Sequence, residues 1–198
     1  MKPPPLPLHV TGVILAAGKS TRMGRDKAFL TLADGTTLVA HQAALLRSIH
    51  VNDLLISARP HTDYPVPGAH RVYDTVPDAG PLAGIAAALA HSTQPHLLAL
   101  AVDLPRITAA LLKSLLDHTT PGVGAVPSTP RGFEPLCAVY PNTPDSRAAL
   151  AAALASHDLS LQNLLNTAVT SGWMRPVPVA EADLPAFANW NTPQDRVT

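Results

Sequence analysis

Residues 12–27 of this chain read G-V-I-L-A-A-G-K-S-T-R-M-G-R-D-K. The stretch begins inside an apolar, β-branched run that starts at Val10, which predicts a buried strand over Val10–Leu15. Small residues, glycines and cations follow directly after that strand. Small residues let a ligand approach the backbone closely, and a glycine-rich turn presents N–H donors to an anion. The stretch therefore predicts a strand that ends in a nucleotide- or phosphate-binding loop.

The fragment Gly18-Lys19-Ser20-Thr21 is similar to the end of a P-loop, but its spacing excludes that motif. A P-loop has four residues between its first glycine and Gly-Lys-Ser/Thr, and five residues separate Gly12 from Gly18 here. Those five residues are mostly strand-forming, so their N–H groups cannot turn inward around a phosphate. The informative unit instead runs from Leu15 to Lys27, with Arg22 and Lys27 as its candidate phosphate ligands.

Composition limits the classes of protein that this chain can belong to. It has 198 residues, a formal net charge of zero and 46% hydrophobic residues. We expect a single domain over 1–198, with a flexible proline-rich arm over 1–9. The balanced charge argues against nucleic acid as a partner, and no apolar run is long enough to span a membrane, so a cytoplasmic location is expected. The lone Cys137 excludes an internal disulfide and is expected to be a buried thiol.

Strands and helices alternate through the first two-thirds of the chain. The patterns predict strands over Val10–Leu15, Asp53–Ser57, Arg71–Tyr73, His96–Val102, Gly122–Val126, Glu134–Tyr140 and Arg175–Val179. They predict helices over Thr37–Ile49, Pro81–Ala90, Thr108–Leu116, Asp145–Ala155 and Leu161–Leu165. This order predicts an α/β fold, a mostly parallel sheet with helices on both faces and ligands at the carboxyl ends of its strands. Asp103 follows such a strand end, which makes it the best candidate for a metal ligand.

The loop after the first strand resembles the nucleotidyltransferase signature L-A-[GA]-G-x-[ST]-x-R-M-G-x-x-K, and most closely that of the molybdenum cofactor guanylyltransferase (MobA) family. Later segments in the same order support the resemblance, which spans nearly the whole chain. They are D-A-G-P-L-A-G-I at 78–85, A-V-D-L-P at 101–105, E-P-L-C-A-V-Y at 134–140 and F-A-N-W-N-T-P at 187–193.

The resemblance implies a Rossmann-like, three-layer α/β/α fold and transfer of GMP from GTP to molybdopterin that carries molybdenum, with release of pyrophosphate. It implies that Arg22, Lys27 and Asp103 are catalytic and that Asp103 holds Mg²⁺. It also implies a nucleotide site and a molybdopterin side. The implied nucleotide-binding residues are Leu15, Ala16, Ala17, Gly18, Lys27, Ser57, Asp74, Gly84 and Asp103, and those on the molybdopterin side are Asn189 and Asn191. Molybdoenzymes or other cofactor-synthesis proteins would be further partners.

Several alternatives stay open at this level. The sequence L-A-A-G is also familiar in the related cytidylyltransferases, and Ser57 replaces a residue that is often asparagine in guanylyltransferases. A sugar-1-phosphate nucleotidyltransferase and a non-catalytic nucleotide carrier remain as more distant hypotheses. Asp103 could instead cap the turn before Thr108, and Asp74 could fix the loop that follows it. The roles of Asp26 and Lys19 are left open.

Overall fold

One mixed sheet of eight strands forms the middle of the protein. The computed structural model describes residues 9–17, 26–58, 62–74, 76 and 79–190. The strands are β1 (Val10–Leu15), β2 (Asp53–Ala58), β3 (Ala69–Tyr73), β4 (His96–Ala101), β5 (Gly124–Thr129), β6 (Gly132–Phe133), β7 (Cys137–Pro141) and β8 (Met174–Pro178). The helices are α1 (Leu38–Ser48), α2 (Gly80–His91), α3 (Ala109–Asp117), α4 (Pro144–Ser156) and α5 (Leu161–Thr170). Within these described stretches, no helix is long and apolar enough to cross a membrane.

The order of the strands is β3-β2-β1-β4-β7-β5-β6, and β8 pairs with β5. Neighbours β1, β2, β3 and β4 are parallel, and β8 is parallel to β5. β7 is antiparallel to both β4 and β5, and the short β6 is antiparallel to β5. Six of the eight strands therefore point the same way, which confirms the predicted mostly parallel sheet.

The sheet carries a separate apolar core on each of its faces, because alternate residues of a strand point to opposite sides. In β4, Leu98 and Leu100 pack into the core on the α1 and α3 face, whereas Leu97 and Ala99 pack into the core on the other face. Helices α2, α4 and α5 cover that second face. The result is the three-layer arrangement, helices–sheet–helices, that the sequence predicted.

The glycine that a P-loop reading would need, Gly12, has a packing role in the middle of β1. A methyl group there would lie 3.0 Å from Leu54 Cδ2, 3.0 Å from Val51 Cγ1 and 3.2 Å from Leu46 Cδ1. Gly12 thus lets α1 lie close against the sheet, and it is part of the strand rather than of a loop. This confirms that the motif is not a P-loop.

Side-chain caps explain where several helices begin. Thr37, Thr108 and Ser160 each accept a hydrogen bond from a backbone N–H in the first turn of α1, α3 and α5. Such caps satisfy one of the donors that the start of a helix leaves without an intrahelical partner. The helix predicted from Thr108 therefore has Thr108 as its cap.

Several predicted boundaries in the second half of the chain are wrong, and three short elements were not predicted. The strand predicted over Glu134–Tyr140 begins only at Cys137, because its first residues form a turn in which the Cys137 N–H donates to the Glu134 carbonyl. Strand β5 begins at Gly124, since Gly122 sits in a turn with φ +78°. Helix α5 continues to Thr170 rather than ending at Leu165. Strand β6 and the 3₁₀ helices Lys27–Phe29 and Glu181–Phe187 were not predicted.

Candidate active site

The carboxyl ends of β1, β2 and β4 meet at one edge of the sheet, which we call the carboxyl edge. Leu15 is in register with Ser57 on one side and with Ala101 on the other. The backbone continues this pairing one residue further, because the Ala16 N–H donates to the Ser57 carbonyl (3.1 Å) and the Val102 N–H donates to the Leu15 carbonyl (3.2 Å). Ligands of open α/β sheets bind outside such strand ends. The predicted site residues of all three strands therefore converge at this edge.

Lys27 and Asp103 form an ion pair at the carboxyl edge. The Lys27 Nζ lies 2.8 Å from the Asp103 Oδ2, and the two side chains are 21% and 17% exposed. Lys27 opens the 3₁₀ helix Lys27–Phe29, whereas Asp103 follows β4, so the fold joins residues that are 76 positions apart. Asp103 makes no hydrogen bond to the turn before Thr108, so the alternative role as a cap of that turn is not seen in the described residues.

Helix α1 holds the turn that carries Asp103. The buried Gln42 side chain donates from Nε2 to the carbonyls of Ala101 (3.1 Å) and Leu104 (2.9 Å). His41 Nε2 lies 3.0 Å from the carbonyl oxygen of Pro105. These contacts bind α1 to the backbone carbonyls of the turn over 101–105. Gln42 was not predicted as a site residue, although a glutamine on the buried face of a helix between apolar residues was a usable signal.

The chain returns to Asp103 near the end of the described residues. The Trp190 N–H donates to the Asp103 carbonyl (2.9 Å), and the Trp190 side chain is buried. Asn189, which was predicted on the molybdopterin side, is exposed beside it. The segment that carries Asn189 therefore lies next to the predicted metal ligand. Asn191 lies outside the described residues.

A second acidic group stands at the ends of β2 and β3. The Ser57 hydroxyl donates to the Asp74 Oδ1 at 3.3 Å, and Ser57 is only 2% exposed. Burial raises the pKa of the Asp74 carboxyl, and the hydrogen bond from Ser57 partly opposes that shift. Asp74 is thus a half-buried carboxyl that accepts hydrogen bonds at the same edge as Asp103.

Gly84 lets α2 approach these strand ends closely. A methyl group on Gly84 would lie 2.6 Å from the Ser57 Oγ and 3.2 Å from the Leu15 Cδ2. Helix packing alone therefore requires the absence of a side chain at this position. Its predicted contact with the nucleotide stays a prediction.

The remaining predicted nucleotide residues lie on or beyond the end of β1. Leu15 and Ala16 are buried, and Ala17 is half-buried. Gly18, Lys19 and Arg22 lie outside the described residues. The predicted roles of Gly18 and Arg22 stay predictions, and the role of Lys19 stays open.

The residues at the carboxyl edge fit a magnesium ion that is shared with a ligand. Mg²⁺ prefers oxygen ligands, and proteins commonly bind it through one or two carboxylates together with water and substrate phosphates. The Asp103 Oδ1 accepts no hydrogen bond from any other described residue, so it can serve as a ligand. The described residues contain no group of three or more His, Cys, Asp or Glu that could hold a metal on its own. The donor set therefore suits Mg²⁺ that arrives with a polyphosphate.

Comparison with known proteins gives a consistent picture. The family model of the MobA-like NTP transferase domain matches residues 12–171. A protein of Opitutus terrae named probable molybdenum cofactor guanylyltransferase is 39% identical over 193 residues, which cover 94% of this chain and 93% of that protein. The crystal structure of molybdopterin-guanine dinucleotide biosynthesis protein A from Archaeoglobus fulgidus matches with a TM-score of 0.69 at 21% identity, over 93% of this chain and 94% of that one.

A further solved structure shows how widely the fold is shared. The 2-C-methyl-D-erythritol 4-phosphate cytidylyltransferase from Thermus thermophilus matches with a TM-score of 0.68 at 20% identity, over 92% of this chain and 93% of that one. At this identity the likeness concerns the fold alone. The substrate must therefore be argued from the relatives in sequence and from the residues of the site.

Proposed function

Because the chain belongs to the MobA-like NTP transferase family, we propose that it is a molybdenum cofactor guanylyltransferase. It transfers GMP from GTP to molybdopterin that carries molybdenum, forms the molybdopterin guanine dinucleotide cofactor and releases pyrophosphate. GTP and the molybdenum-bearing pterin are its partners, and the reaction belongs to the cytoplasm, where GTP is available. Molybdoenzymes, or other proteins of cofactor synthesis, would take up the product.

The observation that carries the chemistry is the ion pair between Lys27 Nζ and Asp103 Oδ2, 2.8 Å apart at the carboxyl edge. A cation that binds phosphate oxygens, next to a carboxylate that binds a divalent metal, is what transfer at a phosphorus atom requires. The name of the Opitutus terrae protein, 39% identical over nearly the whole chain, supports GTP and molybdopterin as the substrates.

The reaction is an in-line displacement at the α-phosphorus of GTP. The attacking group is the phosphate monoester of molybdopterin, whose second pKa of about 6 leaves it mostly dianionic at neutral pH. The nucleophile therefore needs no general base, and none of the nine histidines has to act as one. The barrier is instead the repulsion between two anions and the charge that develops on the leaving pyrophosphate.

The residues of the carboxyl edge lower that barrier by binding and orientation. Lys27 and Arg22 bind oxygens of the triphosphate, and the small residues from Leu15 to Gly18 line the nucleotide. Asp103 would hold Mg²⁺, which withdraws charge from the triphosphate and stabilises pyrophosphate as it leaves. The two hydrogen bonds from Gln42 to the turn after β4 keep the Asp103 carboxylate in position. Asn189 and Asn191 serve the pterin side.

The competing substrate class is CTP with the same acceptor. A pyrophosphate-release assay with Mg²⁺, molybdopterin and either GTP, CTP or ATP distinguishes the two. We expect release with GTP. Release with CTP alone would make the chain a cytidylyltransferase, and steady hydrolysis of GTP to GDP without an acceptor would contradict nucleotidyl transfer altogether. A lack of turnover with tight nucleotide binding would favour the nucleotide carrier.

A further inference from the structure

Asp26 and Tyr64 connect the lysine of the active site to a distant loop. Asp26 directly precedes Lys27 and caps the 3₁₀ helix, because its Oδ1 accepts a hydrogen bond from the Ala28 N–H at 3.0 Å. Its other oxygen, Oδ2, accepts from the Tyr64 hydroxyl at 2.9 Å. Both oxygens of this carboxylate are therefore used inside the protein, whereas Asp103 uses only its Oδ2 among the described residues.

Tyr64 contacts both ends of the segment 26–29, which carries Lys27. Besides its bond to Asp26, its ring stacks on the ring of Phe29, with 5.5 Å between centroids and 7° between planes. Tyr64 is 5% exposed, whereas Phe29 is 41% exposed. Phe29 therefore lies against a fixed, buried ring. Lys27 lies between the two contacts.

The loop that carries Tyr64, residues 62–68, makes hydrogen bonds to the neighbouring helix and strand. The Val66 N–H donates to the Tyr64 carbonyl at 2.8 Å, and the Val66 side chain is buried. Arg47 of α1 donates to the Pro67 carbonyl, and Arg71 of β3 donates to the Asp63 Oδ1 at 2.7 Å. Tyr64 thus belongs to a loop that is held by hydrogen bonds from α1 and β3.

The turn around Lys27 needs such support. A 3₁₀ helix of three residues has poor hydrogen-bond geometry and does not persist alone. A lysine side chain also has many rotamers, so the backbone that carries it must be held for the ammonium to stay beside Asp103. The contacts of Asp26 and Phe29 with Tyr64 supply that support.

We propose that Tyr64 is a positioning residue of the transfer reaction: it holds Asp26 and Phe29, and thereby keeps Lys27 directed at the triphosphate. The inference rests on the proposed function, in which Lys27 binds phosphate. It assigns residues 62–68, between β2 and β3, a part in phosphate binding. The effect of Tyr64 on nucleotide binding passes through Lys27.

A double-mutant cycle tests this dependence. Affinity for Mg²⁺–GTP is measured by calorimetry for the wild type, Tyr64→Phe, Lys27→Met and the double variant. Tyr64→Phe removes only the hydroxyl and keeps the ring against Phe29. We expect it to weaken binding about 5-fold in the wild type, within the usual net contribution of one hydrogen bond, and less than about 1.5-fold in the Lys27→Met background.

Thr119→Val is the matched control. It removes a hydroxyl that donates a 2.7 Å hydrogen bond to the Leu116 carbonyl, at the opposite edge of the sheet. We expect unchanged affinity for the nucleotide. An equal loss of affinity from Tyr64→Phe in both Lys27 backgrounds would mean that Tyr64 acts on the fold in general and would overturn the proposal, as would no loss in either.

The proposed function can fail without deciding the role of Tyr64. If the wild type binds CTP and not GTP, the assignment of guanine is wrong, and the same cycle run with CTP supports or overturns the role of Tyr64. If the wild type binds no nucleoside triphosphate, both the proposed function and the role of Tyr64 are overturned.

Discussion

The two edges of the sheet use polar side chains in opposite ways. At the amino edge, the Thr11 hydroxyl lies 2.6 Å from the Asp53 Oδ2 and 2.7 Å from the Ser92 Oγ. The Asn142 amide donates to the carbonyls of Ser92 (3.0 Å) and Gln94 (2.9 Å) nearby. This cluster joins β1, β2, the end of α2 and the end of β7, and its groups bind one another.

The carboxyl edge instead holds charged side chains whose hydrogen-bonding groups are only partly paired within the described residues. Lys27 and Asp103 bind each other, but the Asp103 Oδ1 has no hydrogen-bond partner among the described residues. Asp74 is half-buried with a raised pKa. Burial of partly satisfied charge costs stability, so such groups persist where a ligand uses them. Substitutions should therefore change chemistry at the carboxyl edge and stability at the amino edge.

The largest effect is expected from Asp103→Ala. Removing the metal ligand should lower kcat by at least about 10²–10³-fold, the usual loss for one contact that stabilises the transition state. Asp53→Asn at the amino edge is the matched control, because the asparagine oxygen can still accept from Thr11. Steady-state pyrophosphate release measures both variants. Unchanged turnover of Asp103→Ala would remove this residue from the mechanism.

Lys27→Met should give the next largest effect. The variant keeps the length of the side chain but loses the charge that binds phosphate, so kcat/KM for GTP should fall about 10²-fold. Lys113→Met, on the exposed side of α3, controls for loss of a positive charge and should match the wild type. Equal kcat/KM values for the two variants would mean that Lys27 makes no specific contact with the phosphates of GTP.

Thr11→Val should affect stability and not catalysis. The substitution has nearly the same shape but leaves Asp53 and the buried Ser92 without their shared partner. We expect the free energy of unfolding to fall by about 1–2 kcal/mol in urea titrations, with kcat and KM unchanged. A fall in kcat with unchanged stability would contradict the claim that the amino edge affects stability and not catalysis.

The smallest effect concerns the pH dependence of stability at Asp74. Burial raises the pKa of this carboxyl in the folded protein, so the folded state keeps the proton to a higher pH than the unfolded chain. Stability is therefore lost as the pH rises from the ordinary aspartate pKa of about 4 through the raised value. Asp74→Asn removes this loss.

Urea titrations of the wild type and Asp74→Asn from pH 4 to 7 measure the change. The variant should gain stability relative to the wild type as the pH rises, by less than the loss from Thr11→Val. A gain that instead grows towards low pH would mean that the folded protein favours the charged form of Asp74.

Much of the fold could be predicted because its first half follows local patterns. The runs at Val10–Leu15 and His96–Ala101 are mostly apolar, and Thr37 and Thr108 mark helix starts with their own side chains. The turn over 134–136 could not be distinguished from a strand, because its proline and leucine extend the apolar run of β7. The reversed direction of β7 depends on tertiary pairing with β4, which no local pattern encodes.

The candidate site was predicted where single residues carry a strong chemical signal. Lys27 and Asp103 were both expected near the phosphates, and the structure brings them into contact. The positions of Gly18, Arg22 and Asn191 remain predictions. Tyr64 and Gln42 were missed because they act through contacts with residues 38 and 59 positions away in the chain. The partners in supporting contacts of this kind become visible only when the fold is known.

The most direct test of the account traces the phosphorus atoms of GTP. The protein is incubated with Mg²⁺, molybdopterin that carries molybdenum, and GTP labelled with ³²P at either the α or the γ position. We predict that the α label moves into a pterin dinucleotide and that the γ label leaves as pyrophosphate. Release of the γ label as inorganic phosphate, with the α label retained in GDP, would contradict nucleotidyl transfer at the carboxyl edge.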